Sequence, residues 1–290
     1  MEVITTFLNG LSLGGVYALI ALGYTMVYGI AKMLNFAHGD VIMVGGYTVM
    51  VFFNLTGQPL VAALIAVVFC SLVGVVIEKL AYKPLRGASP LAVLITAIGV
   101  SYLLESLAQI IFGSSHKIVM LADLGKLILG SLVIDLNTVV TLLSAIAIMA
   151  ALTLFVNKTK TGKAMLAVSE DRHAAELMGV SVNKIIMITF AIGSALAAVA
   201  GTFYILKTPD VSTTMGAMPG IKAFTAAVIG GIGSIPGAML GGILLGVIET
   251  VCNAIPALSN FSIAIEFGLL IIILLVKPTG LLGKKKREKV

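Results

Sequence analysis

The sequence predicts an all-α polytopic membrane protein of about eight spanning helices, some of them broken or re-entrant. Three observations predict it. With 59% hydrophobic and 11% charged residues and a mean hydropathy of +1.12, the 290-residue chain has too few charges to cover a soluble globule. Uncharged stretches such as 90–104, 136–157 and 185–206 recur at lengths near the roughly 20 residues that a spanning helix needs. The short loops between them alternate between a Lys/Arg excess and no such bias, the pattern of the positive-inside rule.

In chain order, Met1-Glu2-Val3 offers no basic region and no small-residue cleavage site follows, so the apolar run 4–31 is a retained span. Gly10, Gly14, Gly15 and Gly23 in it allow close helix approach, which drives association in lipid. The polar cluster 35–40 comes next, and the run 41–53 stops at Asn54 after only 13 residues, so it reads as half-length. Residues 60–77 form a further span closed by Glu78, Lys79, Lys83 and Arg86, a net positive and hence cytoplasmic loop. The span 90–112 leads to a mixed-charge external loop, 114–135, holding His116, Lys117, Asp123, Lys126 and Asp135. The span 136–156 returns to a polar island, 157–183, and 185–206 leaves again to an external loop, 207–220.

The run 223–248 is uncharged but interrupted by Gly230-Gly231-Ile232-Gly233-Ser234-Ile235-Pro236-Gly237, which one straight helix would not tolerate. It is two short spans or a re-entrant hairpin. The last run, 261–276, precedes Lys284, Lys285, Lys286, Arg287, Glu288 and Lys289, five positive against one negative, so +4 of the chain's +6. That tail is placed in the cytoplasm, near anionic lipid, with the N-terminus inside as well. Interrupted helices in the first and last quarters hint at an inverted duplication around a central route, since irregular backbone at membrane depth must be shielded from lipid.

Several function classes are excluded. The basic excess is mostly one tail, which leaves no nucleic-acid footprint. Cys70 and Cys252 lie in apolar runs without a partner at metal-ligand spacing and read as core residues. His38 and Asp40 lack the third and fourth ligands of a metal site, so no metal is expected. Gly162-Lys163 lacks the upstream glycine of a phosphate-binding loop, and no nucleophile and base are paired, so the chain is neither an ATPase nor another enzyme. Glu105, Glu249 and Glu266 interrupt apolar runs as interior groups or as carboxylates reaching for headgroup water.

Asn35-Phe36-Ala37-His38-Gly39-Asp40 concentrates hydrogen-bonding groups, with Asn35 and Asp40 suited to satisfying backbone freed by a break and Gly39 to a turn. In the island, Ser169 is read as a helix cap, with Glu170 and Asp171 at the positive end of the dipole. Gly179 ends that helix, and Ala174, Leu177 and Met178 lie on one face. At about 14 Å it is too short to cross a bilayer, and its stripe is covered either by neighbouring spans or by another protein.

Glu170-Asp171-Arg172-His173-Ala174-Ala175-Glu176-Leu177-Met178-Gly179-Val180 resembles the cytoplasmic coupling segment of branched-chain amino-acid ABC transporter permeases. NFAHGD at 35–40 is similar to the N-terminal signature of the same family, and GGIGSIPG followed by Gly241-Gly242 to its second half. The likeness spans about 7–280 and is to the first permease subunit type of the high-affinity leucine, isoleucine and valine importers. It implies one type II ABC importer-like permease domain over 1–290, including the coupling segment 157–183 and a basic tail, 278–290, in a bacterial inner membrane. Glu170, Asp171, Arg172, His173, Ala174, Ala175, Glu176, Leu177, Met178 and Gly179 would then contact an ATPase. Asn35, Phe36, His38, Gly39, Asp40, Gly230, Gly231 and Gly233 are candidates for the translocation path. The resemblance implies a second homologous permease subunit, two ATP-binding subunits that use ATP and Mg, and an external substrate-binding protein. This chain itself would hold no cofactor. A related permease for urea, short amides or sugars, or a self-contained secondary transporter using Glu105 and Glu249, are the alternatives.

Overall fold

Serine, proline and glycine at the ends of apolar runs set the helix boundaries in the computed structural model, which describes residues 2–121, 125–129 and 132–283. Ser89 Oγ accepts the Ala92 N–H at 3.3 Å ahead of Pro90, and Gly113 ends the same helix, so the run 90–112 is a helix end to end. Ser234 Oγ likewise accepts the Gly237 N–H at 3.2 Å and starts a helix after the glycine-rich interruption.

The chain order is α1 (Glu2–Ala31), α2 (His38–Thr56), α3 (Pro59–Ile77), α4 (Pro90–Phe112), β1 (Lys117–Ile118), β2 (Lys126–Leu129), β3 (Leu132–Asp135) and α5 (Leu136–Lys158). There follow α6 (Lys160–Glu170), α7 (Arg172–Leu177), α8 (Val182–Lys207), β4 (Asp210–Val211), α9 (Ala217–Gly230), α10 (Ile235–Ala254), α11 (Pro256–Ser259) and α12 (Ser262–Val276). Among the described residues, seven helices are long and apolar enough to cross a membrane, and α9 and α12 are shorter apolar helices. The fold is that of an all-α polytopic membrane protein.

Four expectations are corrected. The second apolar piece is a full 19-residue helix, α2, about 28 Å long, rather than half a span. Its apolar run is short because the first turn carries His38 and Asp40, which protein rather than lipid surrounds, at 1% and 3% exposure. The span 60–77 does not end in an open loop but tightens into a π turn over Glu78–Tyr82 and a 3₁₀ turn over Lys83–Leu85. The loop 114–135 contains strands: β1 pairs antiparallel with β4, and β2 with β3. The loop 207–220 likewise holds β4 and gives way to α9 at Ala217. Asp123 and the tail cluster Lys284, Lys285, Lys286, Arg287, Glu288 and Lys289 lie outside the described residues.

The chain forms two compact units. One runs from Met26 through α2, α3, α4 and β1, and resumes from Ala150 to Ile221. At its centre α2, α3 and α8 pack on one another, with Gly45 against Ala198 and Gly74 against Ser194. The outer faces of α3 and α4 expose Leu64, Val68, Leu72, Leu103 and Ile110, as surfaces facing hydrocarbon do.

The other unit contains α1 as far as Thr25, the β2–β3 hairpin, α5 as far as Met149, and the described residues from Lys222 to Gly283. Here Gly10 and Gly14 of α1 meet Gly242 and Gly246 of α10, two glycine pairs four residues apart. A Cβ at Gly246 would overlap the backbone of Gly14, and one at Gly242 that of Ala18. This is the small-residue crossing by which membrane helices gain van der Waals contact. Gly246→Val is therefore expected to cost about 1–3 kcal/mol or more, because backbone rather than a movable side chain blocks it. Thermal denaturation of the detergent-solubilised protein checks this, and an unchanged midpoint would count against the crossing.

Candidate functional site: a capped surface helix and two broken helices

The island folds as two helices. Thr159 Oγ1 accepts the Gly162 N–H at 3.0 Å and starts α6, which runs on through Ser169 to Glu170. The helix start expected at Ser169 is thus displaced: Ser169 Oγ donates to the Leu166 carbonyl, and Asp171 is the true cap, its Oδ1 accepting the Ala174 N–H at 3.0 Å. Helix α7 is consequently six residues long, about 9 Å instead of 14.

Its end is as expected. Gly179 takes φ +81°, its N–H donates to Glu176 at 2.9 Å, and the Val180 N–H donates to Ala175 at 2.9 Å. Those two crossed bonds satisfy the last carbonyls as a Schellman motif. Ala175 is buried on the protein's own side, at 4% exposure. Leu177 and Met178 stand out at 89% and 84% exposure, with Glu170, His173, Ala174 and Glu176 exposed around them.

Arg172 behaves differently. Half-buried, it donates from its guanidinium to the carbonyl of Ala31, the last residue of α1. Desolvation and the nearby Arg86 lower its pKa from the usual arginine value. Arg86 in turn joins Glu78, 2% exposed, to Asn183 at the start of α8. This set was hidden in the sequence because Glu78 and Arg86 read as loop charges.

At the first break, Lys32 adopts φ +53° and its ammonium also reaches a carbonyl at the end of α1, that of Gly29. Asn35 is buried and its Oδ1 accepts the Tyr82 hydroxyl at 2.8 Å, while its carbonyl accepts the His38 N–H at 3.2 Å. Tyr82 packs on Phe190 of α8, ring centroids 5.1 Å apart. Phe36 is half-buried, and Ser101 and Glu105 of α4 face Asp40. Gly39 does not make a turn. It lies within α2, where a Cβ would come 2.8 Å from the Gly216 carbonyl, so its role is close packing.

The second break belongs to the other unit. Gly231 and Gly233 take φ +105° and +94°, which only glycine adopts without strain. Gly230 packs on Gly237 and Gly231 on Gly283. The carbonyls of Ile229 and Gly230 that α9 leaves open accept the N–H groups of Leu281 and Leu282 at 2.8 and 2.9 Å. The same unit holds a cluster that sequence reading missed. Lys222 Nζ lies 2.7 Å from Glu249 Oε1 and 3.3 Å from Glu266 Oε1, and Tyr17 donates to Glu249 Oε2 at 2.7 Å. Glu249 and Glu266 are thus an interior pair and not carboxylates reaching for headgroup water.

In the first unit an apolar crevice of about 380 Å³ lies among α2, α3 and α4, walled by Val44, Tyr47, Phe52, Phe69, Leu104 and Phe112. Tyr47 and Phe112 stack there at 4.3 Å. No group of three or more His, Cys, Asp and Glu placed to hold a metal occurs among the described residues.

A family model described as "Branched-chain amino acid transport system / permease component" matches residues 6–274. The chain is 42% identical over 296 residues to the high-affinity branched-chain amino acid transport system permease protein BraD of Pseudomonas aeruginosa, covering 97% of this chain and 96% of that one. It is also 42% identical over 297 residues, with the same coverage, to LivH of Escherichia coli, which carries the same description. A fructose import permease protein, FrcC of Rhizobium meliloti, is 36% identical over 97 residues, covering 31% of this chain and 27% of its own. With a match and an identity that extend across nearly its whole length, the chain belongs to the branched-chain amino acid transport system permease family.

Proposed function

We propose that this permease passes branched-chain amino acids across a bacterial inner membrane by alternating access, powered by ATP-binding subunits that dock on the exposed side chains within residues 170–179, Leu177 and Met178 foremost, while the half-buried Arg172 turns inward. The observation that carries the reading is the capped helix α7, whose Leu177 and Met178 face outward while Ala175 anchors it inward. An apolar flank displayed on so short a helix suits a partner groove. Partners in this reading are a second homologous permease subunit, two ATPases that use ATP and Mg, and an external substrate-binding protein. The Lys/Arg excess of the island and tail supports a cytoplasmic side for both, and the names of the full-length relatives support branched-chain amino acids as cargo, in this reading leucine, isoleucine and valine. Asn35, Phe36, His38, Gly39 and Asp40 in one unit, and Gly230, Gly231 and Gly233 in the other, are the candidates for lining the translocation path in this reading.

Uptake of labelled leucine into proteoliposomes carrying the assembled complex tests this. Uptake is expected to require both ATP and the binding protein, and to be suppressed by excess isoleucine or valine but not by urea or fructose. Ion-gradient-driven uptake by this chain alone, without ATP, would replace the reading with a secondary transporter.

A further inference from the structure

We propose that Arg172 is a positioning residue that ties the movement of α7 to the end of α1, and so to the first broken helix; the inference rests on the proposed docking of ATPases at α7. Arg172 is the first residue of α7, and its guanidinium donates to the carbonyl of Ala31, where α1 stops. Its neighbours Asp171 and His173 are exposed, whereas it is half-buried and Ala31 is fully buried. The end of a 30-residue helix presents unpaired carbonyls and the negative pole of its dipole, so a guanidinium there makes both a hydrogen bond and a charge–dipole contact. The next residue, Lys32, is the one non-glycine with a left-handed backbone among the described residues. Three residues on, Asn35 is held by Tyr82, which leans on Phe190 of α8.

A second strut limits what else can move. Arg86 bridges Glu78, in the π turn that prolongs α3, to Asn183 in the first turn of α8. The cytoplasmic ends of α3 and α8 are thereby fastened to each other, while α7 is fastened to α1. A push on α7 therefore reaches the 32–37 break through Arg172, against a frame that Arg86 keeps fixed. A guanidinium that only stapled a loop would have no need to choose the residue next to a left-handed break.

The test uses the reconstituted complex. In R172M the ATPase subunits should still co-purify, since Leu177 and Met178 are untouched, and basal ATP hydrolysis should persist. Leucine carried per ATP hydrolysed should fall about tenfold, the lower end for a lost charge-assisted hydrogen bond. R172K, which can still donate to Ala31, should recover most of it. A wild-type ratio in R172M, or loss of ATPase association, would overturn the proposal. So would failure of R172K to recover, which marks a merely structural role. Spin labels at H173C and K32C, with Arg172 intact, give a second measurement: their separation should hold constant between ATP-bound and ADP-bound complexes, and a change would refute the linkage. If wild-type protein itself binds no ATPase, the docking assignment fails instead.

Discussion

Lys222→Met is expected to lower stability by about 3–5 kcal/mol, enough to prevent accumulation of folded protein. Lys222 has 7% of its side chain exposed and is the ammonium between two carboxylates, Glu249 at 15% and Glu266 at 2%. Tyr17 and Ser262 donate further bonds to these carboxylates, at 2.7 and 3.1 Å. Taking such charges out of water is repaid only by their mutual attraction, so removing the single cation leaves two anions facing each other without compensation. A substitution that removes the anions together with the cation should therefore cost far less. The triple variant K222M/E249Q/E266Q is expected to lie within about 2 kcal/mol of the wild type, because uncharged groups of similar volume need no counter-ion. Heating followed by gel filtration in detergent reads both. A K222M variant as stable as the wild type would mean that the cluster is hydrated in the membrane and carries little energy.

That cluster also marks where the sequence stops being readable. The uncharged window begins at Ala223, one residue after Lys222, and a lone lysine at the edge of such a window looks like a headgroup anchor. Only the packing of α9 on α10 and α12 turns it inward. Helix α2 is longer than its apolar run for a related reason. Counting apolar residues measures exposure to lipid, and the first turn of α2 is shielded by protein, so its histidine and aspartate are admissible at depth. Helix α4, by contrast, was legible to the residue, since Ser89-Pro90 and Gly113 bracket a run with no buried polar residue at either end.

The island was partly legible. Its glycine stop was clear because a left-handed residue after Glu176-Leu177-Met178 has few alternatives to glycine. Its start, expected at Ser169, lies at Asp171, because the choice depends on α6 continuing to Glu170, a matter of how Met165 and Val168 are buried. The 170–180 motif suggested a surface contact but not the inward bond of Arg172 to Ala31, because an arginine in a polar island is ordinarily solvated. Gly39 and Gly216 show the converse: a glycine beside a break suggests a turn, yet the close approach of two backbones explains it.

Leu177→Asp is expected to abolish uptake while leaving the permease folded. Leu177 is 89% exposed, so the substitution removes almost no contact within the chain, and its effect on stability should stay within about 0.5 kcal/mol. In the proposed docked state the same side chain is covered by an ATPase. Burying a leucine contributes roughly 1.5–3 kcal/mol, and a carboxylate placed in that groove adds a desolvation cost of its own. The association should then weaken about 100-fold or more. Asp171→Ala should act in the same direction but less strongly, since a lost cap costs about 1 kcal/mol of helix stability and leaves the apolar flank in place. Pull-down with a tagged ATPase, alongside thermal denaturation of each variant, separates docking from folding. Full uptake by L177D, with the ATPase still bound, would show that the flank is not the contact surface and would remove the observation on which the proposed coupling rests.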